Sequence, residues 1–227
     1  EFQLVSSEFS YLSSLFCDGD SLVQVVYSGN QGGSFFSDFN TQLAIDTVSG
    51  IIDIQSSQDT IHNIYYDIFG CLDTFSIEIV SDEFSYIDTL FCKGGLNPIP
   101  NVTGLSGGVF SSNSNLFINP TTGEIDLLNS VDSSYMVYYT ISNCIDSNQI
   151  DIVSADFDYP YSFYCVNQNF AIPVFNGTPN GVFSCNPLVD IDSVSGDIDL
   201  YNSYDSTYYI CYQVDGCVDS VSVEIIN

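Results

Sequence analysis

The side chains in this sequence best suited to chemistry are its eight cysteines. Six of them fall into two registers. Cys17, Cys92 and Cys165 follow one another at intervals of 75 and 73 residues, and Cys71, Cys144 and Cys217 at 73 and 73. Thiols spaced so regularly are suited to cross-linking, since a disulfide removes freedom from the unfolded chain and so favours the folded one. With one Met and no Trp beside them, eight cysteines point to an oxidised, exported protein rather than a cytosolic enzyme. The register suggests Cys17–Cys71, Cys92–Cys144 and Cys165–Cys217, one bridge per period, with Cys185–Cys211 left over in the third. Each of the first three would close a loop of about fifty residues and stabilise by about 4 kcal/mol on the chain-entropy account. The fourth sits awkwardly. Cys185 shares a strand face with Phe183, whereas Cys211 points away from the Tyr208 face, so joining them needs a bulge. A reactive or metal-binding thiol pair is the alternative, and no His or third Cys completes a tetrahedral set around it.

The remaining nucleophile and base candidates read as structure. His62, the single histidine, aligns with Tyr135 and Tyr208 and takes a tyrosine's place at the head of a strand. A Ser-His-Asp relay would need two partners that the spacing does not supply. Ser106 in Gly104-Leu-Ser-Gly-Gly108 has the glycines of a nucleophile elbow but the wrong pattern and no helix after it. Lys93, beside Cys92, reads as a surface charge. The chain is therefore expected to be no enzyme and to need no cofactor, with calcium as the one candidate ion. Asp82, Glu83, Asp156 and Asp158, near the joins between periods, are its candidate ligands, with Asp18 and Asp20 beside a cysteine. No Asp-x-Asp-x-Asp-Gly loop accompanies them, and a solvated acidic surface is the competing reading. Asn101 and Asn176 head N-glycosylation sequons. Tyr138 and Tyr201 are candidates for stacking on sugars, although no concave aromatic platform can be placed.

Charge excludes several partners. One basic residue against 29 acidic ones gives a net charge of −28. A surface of that sign cannot neutralise nucleic-acid phosphates or dock on anionic lipid through a polybasic patch. It keeps molecules apart and soluble, and it leaves almost no site for a trypsin-like protease. No apolar run approaches the roughly 18 residues of a membrane helix, and no signal peptide is visible, so the chain as given reads as neither membrane-spanning nor self-exporting.

The elements that must carry these cysteines are strands. A stretch running Phe84-Ser-Tyr86, Phe91-Cys92, Gly107-Gly108-Val-Phe110, Thr122-Gly123-Glu-Ile-Asp126, Tyr135 to Tyr139, Cys144 and Ile150-Asp-Ile-Val-Ser154 is written three times. A fixed period is the mark of a repeat array. Residues 8–81, 82–154 and 155–227 are its units, and residues 1–7 align with the closing strand of a unit whose body would precede them. Within a unit the apolar period is two. Tyr135, Val137, Tyr139 and Ile141 share one face, and Pro120-Thr-Thr-Gly123 reads as a hairpin turn. Seven or so short strands per unit, with turns every 8 to 12 residues, predict an all-β chain of three tandem immunoglobulin-like antiparallel β-sandwiches. Joints of two to four residues without Gly or Pro would hold neighbours end to end, giving an elongated rod on the order of 100 Å.

These motifs, from Phe84-Ser-Tyr86 through Gly107-Gly108-Val-Phe110-Ser and Tyr135-x-Val137-x-Tyr139 to Cys144-x-Asp146-Ser147, resemble the repeat unit of giant surface adhesins of Bacteroidota, the gliding-motility adhesins of flavobacteria among them. The resemblance covers all three units. The extra cysteine pair of the third unit departs from it, as does Ser28-Gly-Asn-Gln in the first, where prolines are thinner. It implies type IX export, an extracellular cell-surface location, display in a long filament, and attachment during gliding. Contacts would then be made with neighbouring repeats and, through regions outside this stretch, with an external surface or glycan. Asp-Ser/Thr-aliphatic triplets also resemble the O-glycosylation acceptors of these bacteria, marking Ser21, Thr47, Thr60, Thr89, Ser193 and Ser220. The expected role is a non-catalytic stalk; the alternatives are a subunit of a self-assembling extracellular or viral fibre, and an accessory carbohydrate-binding module.

Overall fold

The computed structural model describes residues 4–184 and 188–227. Every helix or strand among them is a strand. Each period builds one four-stranded sheet. Its order is Leu15–Cys17, Cys71–Val80, Ile61–Ile68, Ser34–Ser37 in the first period and Leu90–Cys92, Cys144–Val153, Ser133–Ile141, Val109–Ser112 in the second. In the third it is Phe163–Cys165, Cys217–Ile226, Ser206–Val214, Val182–Ser184. The two long central strands form a hairpin whose two-residue turn has positive φ at both positions. These are Phe69 and Gly70 at 52° and 83°, Ser142 and Asn143 at 49° and 75°, and Asp215 and Gly216 at 47° and 87°. Such turns match the right-handed twist of the strands they join.

The edge strand breaks the antiparallel pattern. It runs parallel to the closing strand, with Cys17 opposite Val80, Cys92 opposite Val153 and Cys165 opposite Ile226. Parallel pairing needs a long crossover, and the body of each repeat supplies it.

Smaller sheets cover the inner face. In the first repeat Phe9–Tyr11 pairs with Val25–Tyr27, and Ile52–Asp53 lies between Leu22–Val23 and Ala44–Ile45. The third repeat repeats this with Phe157–Asp158 on Val174–Phe175 and Ile198–Asp199 between Phe170–Ala171 and Asp190–Ile191. Around Pro120–Gly123 the pairing reduces to one bridge, Ile118 with Ile125, although Gly123 has the expected positive φ of 71°. Alternation drives one face of each long strand inward: His62, Ile64, Tyr66 and Ile68 are buried, as are Tyr208, Ile210, Tyr212 and Val214.

At the heart of each repeat lies a set of three aromatic rings. Phe9, Phe35 and Tyr66 lie 4.5 to 5.9 Å apart between centroids. Phe84, Phe110 and Tyr139 lie 4.6 to 5.9 Å apart, and Phe157, Phe183 and Tyr212 4.6 to 6.1 Å. The tyrosine of each set also ties down a loop. Tyr66 Oη donates to Asn30 O (2.9 Å) and accepts from Gly33 N (2.9 Å). Tyr139 does the same between Leu105 and Gly108, and Tyr212 between Thr178 and Gly181. Buried hydroxyls satisfied in this way fix the register of a core rather than weaken it. The chain is thus an all-β tandem of immunoglobulin-like sandwiches.

By compactness the chain divides differently from its period. One unit comprises residues 1–85, 100–110 and 138–147, and the other residues 86–99, 111–137 and 148–227. The segments of the second repeat near Cys144 therefore go with the first repeat, and those near Cys92 with the third.

Candidate functional site: the cystine joints

Among the described residues two disulfides are formed, and neither is one that the register suggested. Cys17 is bonded to Cys144, and Cys92 to Cys217, each with a Cα–Cα separation of 5.5 Å. The expected Cys17–Cys71, Cys92–Cys144 and Cys165–Cys217 bridges are incorrect. The reason lies in the parallel edge strand. Cys17 stands opposite Val80 at the end of the closing strand, while Cys71 begins that same ten-residue strand. At about 3.4 Å per residue, the two sulfurs of one repeat lie roughly 30 Å apart. The first cysteine of a repeat instead meets the second cysteine of the next, just past its hairpin turn. Cys71, Cys165 and Cys211 carry free thiols. Cys211 alternates with the buried Ile210 and Tyr212 and stands opposite Ser184; Cys185, its expected partner, lies outside the described residues.

The polypeptide passes from repeat to repeat beside each bridge, and the backbone there recurs. In the first unit Asp18 N donates to Val80 O (2.9 Å) and Leu105 N to Ser81 O (2.7 Å). In the second unit Lys93 N donates to Val153 O (2.8 Å) and Thr178 N to Ser154 O (2.8 Å). A glycine faces each incoming strand. A Cβ on Gly104 would stand 2.4 Å from Ser81 O, and one on Gly177 2.4 Å from Ser154 O. Only a residue without a side chain admits that carbonyl. The same contact recurs at the front of the first repeat, between Gly29 and Ser6 O at 2.4 Å, where Asn30 N donates to Ser6 O (2.7 Å).

The two joints differ in charge. At the second, Lys93 Nζ lies 3.3 Å from Asp132 Oδ1, and the buried Ala155 follows. At the first, the equivalent positions are Asp18, Asp59 and Asp82. Burial pushes the Asp82 carboxyl above its ordinary value of 3.8, and the Asp18 and Asp146 charges push it the same way. Asp59 is raised by burial, then by Asp18 and Glu83.

The candidate calcium ligands do not converge. Asp82 is buried, whereas Glu83, Asp156 and Asp158 are exposed. Glu83 accepts from Thr103 Oγ1 (3.2 Å), and Asp158 from Tyr159 N (2.8 Å). Among the described residues no group of three or more His, Cys, Asp or Glu side chains is placed to share an ion.

Of the triplet hydroxyls, Ser21, Thr47, Thr89, Ser193 and Ser220 are exposed and Thr60 is half-buried. The triplet aspartates have structural work of their own. Asp46 Oδ1 accepts from Val48 N and Ser49 N (3.0 and 2.6 Å), and Asp192 Oδ1 from Val194 N and Ser195 N (2.8 and 2.9 Å). These turns hold both carboxyls below their ordinary value. The sequon residues Asn101 and Asn176 are exposed, and the sequon threonines serve the joints. Thr178 Oγ1 accepts from Ser154 N (3.1 Å), and Thr103 Oγ1 donates to Glu83 O (3.3 Å). Tyr201 is largely exposed and Tyr138 partly so; Ser106 is exposed. His62 is fully buried, with Nε2 2.7 Å from Gln58 O. That is the place filled by Tyr135 Oη donating to Val131 O (2.6 Å) and Tyr208 Oη to Tyr204 O (2.9 Å). The second ring nitrogen of His62, Nδ1, has no hydrogen-bond partner.

No family model matches the chain. No curated protein matches it either. Several solved structures align with the chain at low identity and low TM-score. An I-band fragment of titin is similar at 9% identity and a TM-score of 0.33, over 99% of both chains. Extracellular domains 3–5 of Drosophila OTK give 9% and 0.33, over 94% of this chain and 93% of that one. Invasin, a bacterial integrin-binding protein, gives 9% and 0.38, over 97% of this chain and 60% of that one. At such identities and TM-scores the assignment of a sandwich rests on the strand order and registers of this chain.

Proposed function

We propose that the chain is a non-catalytic spacer from an extracellular adhesin, of the kind that Bacteroidota display on the cell surface during gliding. The observation that carries this reading is the pair of cystine joints. A disulfide across each join between sandwiches serves a chain that must keep successive repeats together in an oxidising medium. On the chain-entropy account a loop of 127 residues, as between Cys17 and Cys144, contributes about 5 kcal/mol. Strong negative charge favours dispersal over bundling, which supports one long chain over a fibre assembled from many. Adhesion itself would belong to regions outside this stretch, and export by the type IX route would bring the repeats to the cell surface.

An antibody raised against the chain tests the reading on intact cells of the source. Surface labelling, together with loss of attachment when the coding segment is deleted, is the expected result. Labelling that appears only after lysis, or spontaneous filaments of the purified chain, would overturn it.

A further inference from the structure

Two of the free thiols occupy positions that are bridged in the other repeats. Cys71 is the counterpart of Cys144 and Cys217, and Cys165 that of Cys17 and Cys92. We infer that Cys71 and Cys165 are half-cystines, each made to close on a further repeat of this same pattern, bridged as the second is to the first and the third to the second. This inference stands whether or not the segment serves in adhesion.

The surroundings of both thiols support it independently of the sulfur atoms. Cys144 and Cys217 are 1% and 3% exposed, whereas Cys71 is open to solvent. Beside Cys71, the turn residue Phe69 is 90% exposed. Its counterpart Asp215 borders a groove at the second joint together with Leu90, Val153 and Thr178. The far end of the third repeat is bare in the complementary way. Phe163 stands in the solvent where Leu90 packs against the core of the following repeat. Apolar side chains bared at one position and covered at its equivalents mark a docking face. Ser6 already makes, at the front of the first repeat, the backbone contacts that Ser81 and Ser154 make at the joints. A repeat of this pattern is therefore the occupant that fits.

Closing the bridge needs an oxidant, and a low-molecular-weight disulfide such as oxidised glutathione is sufficient. The Cys165 thiolate attacks it and releases one thiol, forming a mixed disulfide. The thiolate of the incoming repeat then displaces the second thiol. Two protons are lost from the protein, and its two electrons leave on the two thiols of the reduced oxidant.

The test extends the full chain by a second copy of residues 155–227 after Asn227, which keeps the period. Both chains are oxidised with glutathione, alkylated and mapped by mass. In the original chain Cys165 is expected to alkylate. In the extended chain its alkylation should fall to background, with a bridge to the added copy's equivalent of Cys217. Replacing that added cysteine by Ser should restore the alkylation. The Cys17–Cys144 and Cys92–Cys217 peptides report that the extended chain has folded. Their presence alongside an alkylated Cys165, or a Cys165 bridged elsewhere, overturns the inference. Residues 82–154 placed before Ser7 read Cys71 in the same way.

Discussion

Cys144 is covalently joined to Cys17, a residue 127 positions earlier and one repeat away, with Cα atoms 5.5 Å apart. Cys92 of its own repeat stands on the edge strand opposite Val153, at the far end of the ten-residue strand that Cys144 begins.

That pairing makes the effects of substitution specific. Cys17→Ser and Cys144→Ser are each expected to lower stability by about 3 to 5 kcal/mol, and the double variant by no more than either alone. Cys71→Ser should leave stability within about 0.5 kcal/mol. Denaturant midpoints measure all four. A costly Cys71→Ser would return the bridge to the interior of the repeat.

The joint glycines are a second test. Gly104→Ala and Gly177→Ala each press a methyl group against a backbone carbonyl that the preceding strand cannot withdraw. A loss of about 1 to 3 kcal/mol is expected from each. Gly19, with nothing within 4 Å of a built Cβ and no positive φ, is the control. Gly19→Ala should be neutral in the same thermal melts.

Asp82 predicts a pH dependence with a definite sign. Its carboxyl is raised above 3.8 in the folded chain, so folding takes up a proton as the pH passes through that interval. Stability from this group is highest below about pH 3.8 and falls as the pH rises through the folded value. Asp46, Asp126, Asp192 and Asp199 are held low by their turns and act oppositely, losing stability as the pH falls. Asp82→Ala, which copies the residue of the second joint, isolates the first effect. Its melting temperature should exceed the parent's at pH 7 and match it near pH 3.5. A gain equal at both values would assign the effect to size rather than charge.

His62→Tyr should stabilise the first repeat. It replaces a buried ring whose Nδ1 is unpartnered with the side chain used at Tyr135 and Tyr208. Relief of one buried unsatisfied group is worth about 1 to 3 kcal/mol. An unchanged or lowered urea midpoint would show that the first repeat has repacked around the smaller ring.

Much of this was legible in the residues. The threefold period, the inward set of Tyr135, Val137 and Tyr139, the positive-φ Gly123 and the tyrosine-like place of His62 all follow from alternation and alignment. The cystine connectivity does not. A period shows that Cys17, Cys92 and Cys165 are equivalent, but a bridge within a repeat and a bridge to the next leave the same spacing. The deciding fact is the parallel register of Leu15–Cys17 on Glu78–Val80, and parallel pairing carries no local turn signal. In the sequence Gly104 stands out only in an elbow-like run, and Gly177 only inside a sequon. The carbonyl that forbids a side chain there comes from more than twenty residues away, and no local pattern announces it.

The two bridges interlock along the chain, since Cys92 lies inside the loop closed by Cys17 and Cys144. A single peptide bond cut anywhere between residues 17 and 217 therefore leaves both fragments attached. Under tension applied at its two ends, the polypeptide could be drawn out only along its shortest covalent route. That route crosses from residue 17 to 144, runs backwards to 92, and crosses again to 217, leaving the rest of the chain slack.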